Sequence, residues 1–110
     1  MYDRKLIGDA GEDFAAKILT MQGYQILERK YRSKAGEIDI IAEKSDELIF
    51  VEVKTRKSVN FGTPAESVTL EKQRHIRNTA SYYLKSHGRN GGFVSFQVIE
   101  ILFNQIENAF

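Results

Sequence analysis

Apolar residues recur at Ile7, Phe14, Ala15, Ile18 and Leu19 with polar residues between them, and Gly23 stands where helices often end on glycine. That spacing predicts a first helix over Leu6–Gln22. The period then shortens. Tyr24 and Ile26 alternate with polar neighbours as far as Tyr31, and Ser33-Lys34-Ala35-Gly36 forms a turn signal before two almost continuous apolar runs, Ile38–Ala42 and Leu48–Thr55. These are three predicted strands. Val59-Asn60-Phe61-Gly62-Thr63-Pro64 contains the only proline and reads as a loop, after which Thr69 caps a helix running to about Ser86 with Ile76, Ala80, Tyr83 and Leu84 inward. Gly88 to Gly92 ends it. Phe93–Phe103 reads as a long strand, with Asn104-Gln105 turning the chain back into a short segment, Ile106–Phe110.

The order helix, three strands, helix, strand gives an α/β, mixed α+β plan, a small sheet with helices packed against it. With 110 residues and 42% hydrophobic content, one domain over residues 1–110 is expected, large enough for a core without covalent staples. The chain has no cysteine, which excludes disulfides, zinc–cysteine clusters and thiol nucleophiles. Two histidines, His75 and His87, argue against a histidine-based zinc site. No apolar run approaches the roughly 18 residues of a membrane span, and Met1-Tyr2-Asp3-Arg4-Lys5 leads into a charged amphipathic pattern. A soluble, cytoplasmic protein without membrane contact is expected.

The chemistry sits inside the apolar runs. Asp39 interrupts Ile38–Ala42, while Glu52 and Lys54 interrupt Leu48–Thr55, and charge within a buried strand is costly unless it is paired or binds a metal. A hairpin centred on Ser45-Asp46 pairs residues whose numbers total 91, setting Asp39 opposite Glu52, and alternation puts Lys54 on the face of Glu52. Two facing carboxylates demand a positive neighbour. Hard oxygen donors, namely Asp39, Glu52, the Val53 carbonyl and water, suit Mg2+ or Mn2+, and Lys54 would neutralise charge developing on a phosphate. The plain alternative is a salt-bridged hairpin in which Lys54 neutralises both acids without metal.

The segments Gly8-Asp9-Ala10-Gly11-Glu12, Gly36-Glu37-Ile38-Asp39, Phe50-Val51-Glu52-Val53-Lys54-Thr55-Arg56, Phe61-Gly62-Thr63-Pro64-Ala65-Glu66, Lys72-Gln73-Arg74 and Ile106-Glu107-Asn108-Ala109-Phe110 resemble the small bacterial YraN-like proteins. These are related to Holliday junction resolvases within the PD-(D/E)xK nuclease superfamily. The resemblance covers nearly the full length and implies a restriction endonuclease-like αβββαβ core. It also implies Asp39 and Glu52 as metal ligands, Lys54 as the catalytic lysine, Glu12 as an acid completing the metal site, and Gln73 as a polar residue beside it. On helix geometry alone Glu12 lies at the margin of the apolar stripe, on the Leu19 side. The sequence departs from the family pattern at Gln97, where an aspartate is usual, and at Lys30, where asparagine is common.

A net charge of +1 announces no polyanion partner, but the charges are uneven: Arg29, Lys30, Arg32 and Lys34 form one basic run, Lys54, Arg56 and Lys57 another, and Lys72–Ile99 contains no acid. Arg32, Lys34, Arg56 and Lys57 are candidates for phosphate contacts. The expectation is therefore a magnesium-dependent endonuclease acting on DNA, branched or structured DNA by resemblance. The alternative is a non-cleaving nucleic-acid-binding scaffold in repair, recombination or uptake. Resolvase-like enzymes often act as homodimers, and a protein partner in DNA processing would fit the scaffold role.

Overall fold

The computed structural model describes residues 3–57, 68–89 and 92–110. Its elements run α1 (Arg4–Met21), β1 (Gln25–Ser33), β2 (Gly36–Lys44), β3 (Glu47–Lys57), α2 (Leu70–Ser86) and β4 (Phe93–Phe103), in the expected αβββαβ order. The predicted loop Val59–Pro64 lies outside the described residues, as does the rest of Phe61–Glu66. Near the C-terminus the turn falls at Glu107–Asn108, where Asn108 takes a φ of 53°, and not at Asn104-Gln105; no strand follows it.

The four strands form one sheet in the order β1-β2-β3-β4, antiparallel except for β4, which lies parallel to β3. Helix α1 covers one face and α2 the other. Under α1, Ala15, Ala16 and Leu19 meet Ile40, Ala42, Ile49 and Val51; under α2, Ala80 and Tyr83 meet Ile38, Ile41, Leu48 and Phe50. This accounts for the almost continuous apolar runs of β2 and β3, since a strand covered on both faces has no solvent side to fill with polar residues.

Both helices begin on side-chain caps that satisfy main-chain N–H groups the helix leaves without partners. Asp3 Oδ1 accepts from Leu6 N at 3.1 Å, and Thr69 Oγ1 accepts from Lys72 N at 3.1 Å. In α2 the expected inward residues are inward: Ala80 and Tyr83 are buried, with Ile76 and Leu84 packed beside them. The buried face of α1 differs from the predicted stripe. Gly11, Ala15, Ala16 and Leu19 face the sheet, and Phe14 is 53% exposed. The smallest residues were chosen because the helix lies so close to the sheet that a Cβ on Gly11 would overlap Thr55 Oγ1 of β3. No helix among the described residues is long and apolar enough to cross a membrane.

Candidate functional site

The hairpin register is the expected one: Lys44↔Glu47, Glu43↔Leu48, Ala42↔Ile49, Ile41↔Phe50 and Ile40↔Val51. There the ladder stops, one step before Asp39 and Glu52. On the other side of β2 the pairing passes from Arg29↔Ile40 to Tyr31↔Ile38 and skips Lys30 and Asp39. Regular alternation would put Ile38 and Ile40 on one face, yet Ile38 packs under α2 and Ile40 under α1. The strand therefore turns over at Asp39. Lys30, at φ 52°, is the corresponding distortion in β1, and a left-handed conformation is one that asparagine tolerates better than lysine.

Released from both ladders, the Asp39 carboxylate lies between β2 and β3, where Oδ2 accepts from Val53 N at 2.7 Å and the carboxyl is hydrogen-bonded to Glu52. Asp39 thus meets Glu52 through this inserted side chain and not as a ladder partner. Because a strand residue directs its N–H and C=O to the same side, the Val53 carbonyl also points toward β2 where the pairing has ended. Glu52 is only 9% exposed. Its Oε2 lies 2.6 Å from Lys72 Nζ, in the first turn of α2, and Lys54 shares that neighbourhood.

The charges of these four groups are interdependent. Burial pushes Asp39 up to about 8, helped by the hydrogen bond to Glu52 and by the negative charge of Glu52 and Glu12. Burial also opposes ionisation of Glu52, but the proton shared by Asp39 and the Lys72 ammonium outweigh it and hold Glu52 below its ordinary value. Burial and the adjacent Lys72 lower Lys54. Lys72 rises despite its own burial, because Glu52 stabilises its charged form. Near neutral pH the pair carries one proton, on Asp39, and one negative charge, on Glu52.

Glu12 stands nearby but is engaged elsewhere. Its side chain is 12% exposed and forms an ion pair with Lys30 at 3.2 Å, while Lys30 also reaches Asp9 at 3.0 Å. Among the described residues no three His, Asp or Glu side chains gather closely enough to hold a metal ion by themselves. The structure thus brings Asp39 and Glu52 together and leaves Glu12 at the margin, near enough to raise Asp39. Two adjoining carboxylates, one left with a single shared proton by burial, and a main-chain carbonyl at the open ladder form a donor set of hard oxygens that fits Mg2+ or Mn2+ with water completing the shell.

The other expected residues cluster at the same end of the sheet, because the close of β1, the start of β2, the end of β3 and the first turn of α2 meet there. Gln73 Nε2 donates to Val68 O at 3.2 Å and, with Phe50, Glu52, Ile76, Phe96 and Val98, lines a cavity of about 220 Å³ between α2 and β4. Arg32 pairs with Glu37 at 2.9 Å, and Lys34 borders a shallow groove with Asn78 and the exposed Tyr82. Tyr31 is a packing residue, edge-on to Tyr83 at 5.2 Å. Arg56 pairs with Glu100 of β4 at 3.1 Å; Lys57 is exposed at the end of β3. Gln97 lies near the Tyr24 hydroxyl, which donates to Glu47 at 3.0 Å.

Lys72 is the residue that the sequence reading missed. A signal was there, because lysine at the third position after a helix cap sits against the positive end of the helix dipole and needs a compensating acid. The ammonium paired with Glu52 comes from Lys72 of α2, where the salt-bridged-hairpin alternative expects Lys54.

Residues 11–101 match a family model described as "Uncharacterised protein family UPF0102". The chain is 47% identical over 108 residues to a UPF0102 protein of Clostridioides difficile strain 630, covering 94% of this chain and 95% of that relative. It is 44% identical over 111 residues to one from Syntrophomonas wolfei, covering 94% and 96%. A UPF0102 protein of Rhodococcus jostii strain RHA1 is 48% identical over 96 residues, covering 87% and 81%. Agreement over nearly the whole of each chain, with the site elements inside the matched segment, means that this chain belongs to the UPF0102 family.

Proposed function

We propose that the protein is a divalent-metal-dependent phosphodiesterase that hydrolyses DNA, with Asp39 and Glu52 as metal ligands and Lys54 as the residue facing the scissile phosphate. The observation that carries this reading is the adjoining pair of half-buried Asp39 and buried Glu52, set where β2 parts from β3 and flanked by Lys54 and Lys72. A divalent ion bound there supplies a positive charge for a phosphate oxygen and acidifies a bound water. The chain's own groups do the rest. Lys54, with its ammonium made less stable by burial and by Lys72, is placed to meet charge developing on phosphorus or to orient the attacking water. Val53 N–H fixes the Asp39 carboxylate, and Gln73 lies on the α2 side of Glu52.

Arg32, Lys34, Arg56 and Lys57 all lie at this end of the sheet, which supports contact with a phosphate backbone. Glu12 serves in this reading as an outer acid that joins the site once Lys30 releases it. Branched or otherwise structured DNA is the proposed substrate by family resemblance. The engagement of Glu12 by Lys30 favours one second reading, a DNA-binding module that does not cut.

The test is cleavage of labelled four-way junction, flap, single-stranded and duplex DNA with magnesium, manganese or EDTA, beside Lys54→Ala and Glu52→Ala. Metal-dependent cutting lost in both variants supports the nuclease. Metal-dependent binding with no cutting of any substrate supports the scaffold.

A further inference from the structure

The ion pair between Lys72 and Glu52, at 2.6 Å, joins two different elements, the first turn of α2 and the middle of β3. Glu52 is nearly buried, so its charge requires a cation at close range. Lys72 supplies it. The pair does not serve α2 itself, since an ammonium in a first turn opposes the helix dipole and the cap is already made by Thr69. Nor does it serve Lys54, which is disfavoured by a second ammonium beside it. An arrangement in which two lysines crowd one ionised acid is electrostatically poor at rest and improves if one of them has somewhere else to go.

We propose that Lys72 is a movable cation: it occupies the place of the metal on Glu52 when no metal is bound, and it moves to a substrate phosphate when a divalent ion takes Glu52. This rests on the metal reading above and adds a residue to it. Lys72 is 40% exposed at its side chain, so the ammonium has an open side to swing toward, at the sheet end where Arg32, Lys34 and Lys57 lie. The Thr69 cap holds the Lys72 backbone in position, so the motion is a side-chain rotation. Metal and Lys72 then compete for one carboxylate, and metal binding exposes a phosphate-binding ammonium at the moment it is useful.

The first test is calorimetric titration of Mn2+ into the wild type, Lys72→Met, Lys54→Met and Glu52→Gln. Competition predicts that Lys72→Met tightens Mn2+ on the order of tenfold or more, well beyond Lys54→Met, which removes the same charge without vacating the ligand. Glu52→Gln should lose the binding. The second readout is amine labelling of each lysine followed by peptide mass spectrometry. Lys72 should be protected in the wild type, become several-fold more reactive with magnesium, and already be reactive in Glu52→Gln. The third is DNA affinity with calcium, where Lys72→Met should bind more weakly although it binds metal more tightly.

Equal tightening by Lys72→Met and Lys54→Met, with no metal-dependent change in Lys72 labelling, would overturn the movable cation while leaving the metal site intact. Wild-type Mn2+ affinity that Glu52→Gln does not alter, or no binding by any of the proteins, would overturn both.

Discussion

Replacing Gly11 by alanine tests how α1 is seated against the site. In an exposed helix this change is favourable, because alanine is the better helix former by about 1 kcal/mol. Here the new Cβ would overlap Thr55 Oγ1 and lie 3.0 Å from Thr55 Cβ and 3.2 Å from Cγ2. Rotating the Thr55 side chain moves its hydroxyl and methyl but cannot move its Cβ, so α1 itself must shift. Overpacking of this kind costs roughly 1–3 kcal/mol, which exceeds the gain in helix propensity. Because the Thr55 Cβ cannot rotate away, the upper part of that range applies and the net loss is expected at about 1–2 kcal/mol, with Tm falling by roughly 4–8 °C for each kcal/mol lost.

Gly8 provides an internal control, because it lies one turn earlier in the same helix and a Cβ there meets nothing within 4 Å. Gly8→Ala should therefore stabilise while Gly11→Ala destabilises. Urea unfolding of both variants gives the two signs. Thr55→Ala removes the overlapping hydroxyl, which makes no hydrogen bond, so the double variant with Gly11→Ala should recover at least about 0.5 kcal/mol. If Gly11→Ala stabilises as Gly8→Ala does, or if Thr55→Ala recovers nothing, the close seating of α1 is refuted. The seating matters to the site because Glu12 follows Gly11 directly, and a displaced α1 carries that acid away from Asp39.

Two further predictions concern the carboxylates. The ordinary value for Asp39 is 3.8 and burial pushes it to about 8, so between those pH values the folded protein keeps a proton that the unfolded chain releases. Its contribution to stability is whole below pH 4 and is lost as the pH rises through 8; in urea midpoints from pH 5 to 8, Asp39→Asn should flatten the wild-type decline, and parallel curves would contradict the raised value. Lys30→Asn gives up an exposed ion pair to Asp9, worth about 0–1 kcal/mol, and a pair to the largely covered Glu12, for a side chain better suited to φ 52°. Stability should fall, because the largely covered Glu12 loses its cation, while Mn2+ binds more tightly to the released Glu12; an unchanged Mn2+ affinity would remove Glu12 from the site.

The sequence was most legible where both sides of an element are apolar. Ile-Asp-Ile-Ile-Ala and Leu-Ile-Phe-Val-Glu-Val allow few pairings that bury every apolar side chain, so the hairpin register from Lys44↔Glu47 to Ile40↔Val51 could be worked out from spacing. The second helix was legible from Thr69 to Ser86 for a similar reason, since its cap and inward residues agree. On α1 the pattern was right at Ala15 and Leu19 and misled at Phe14, because close seating selects the small Gly11 and Ala16 and leaves the large ring out. The turning-over of β2 was hidden as well. It depends on a left-handed Lys30 in the neighbouring strand, and no periodicity within β2 records that.

Ile38, Ile40 and Ile41 beside Asp39, and Phe50 and Val51 beside Glu52, are almost fully buried, so an apolar residue at either acidic position would extend a core that is already formed. Replacing a buried ion pair with apolar groups of similar volume is often neutral or stabilising, whereas removing one partner leaves a charge without compensation. The Glu52–Lys72 pair therefore has little to offer the fold that isoleucine and methionine would not. What the acids do provide is a resting state in which Asp39 keeps a proton and Glu52 keeps a lysine, and in the proposed reading both would give way to the same divalent cation. On the proposed reading, a charged pair that the fold does not need, set where the ladder between β2 and β3 ends, is organised for binding.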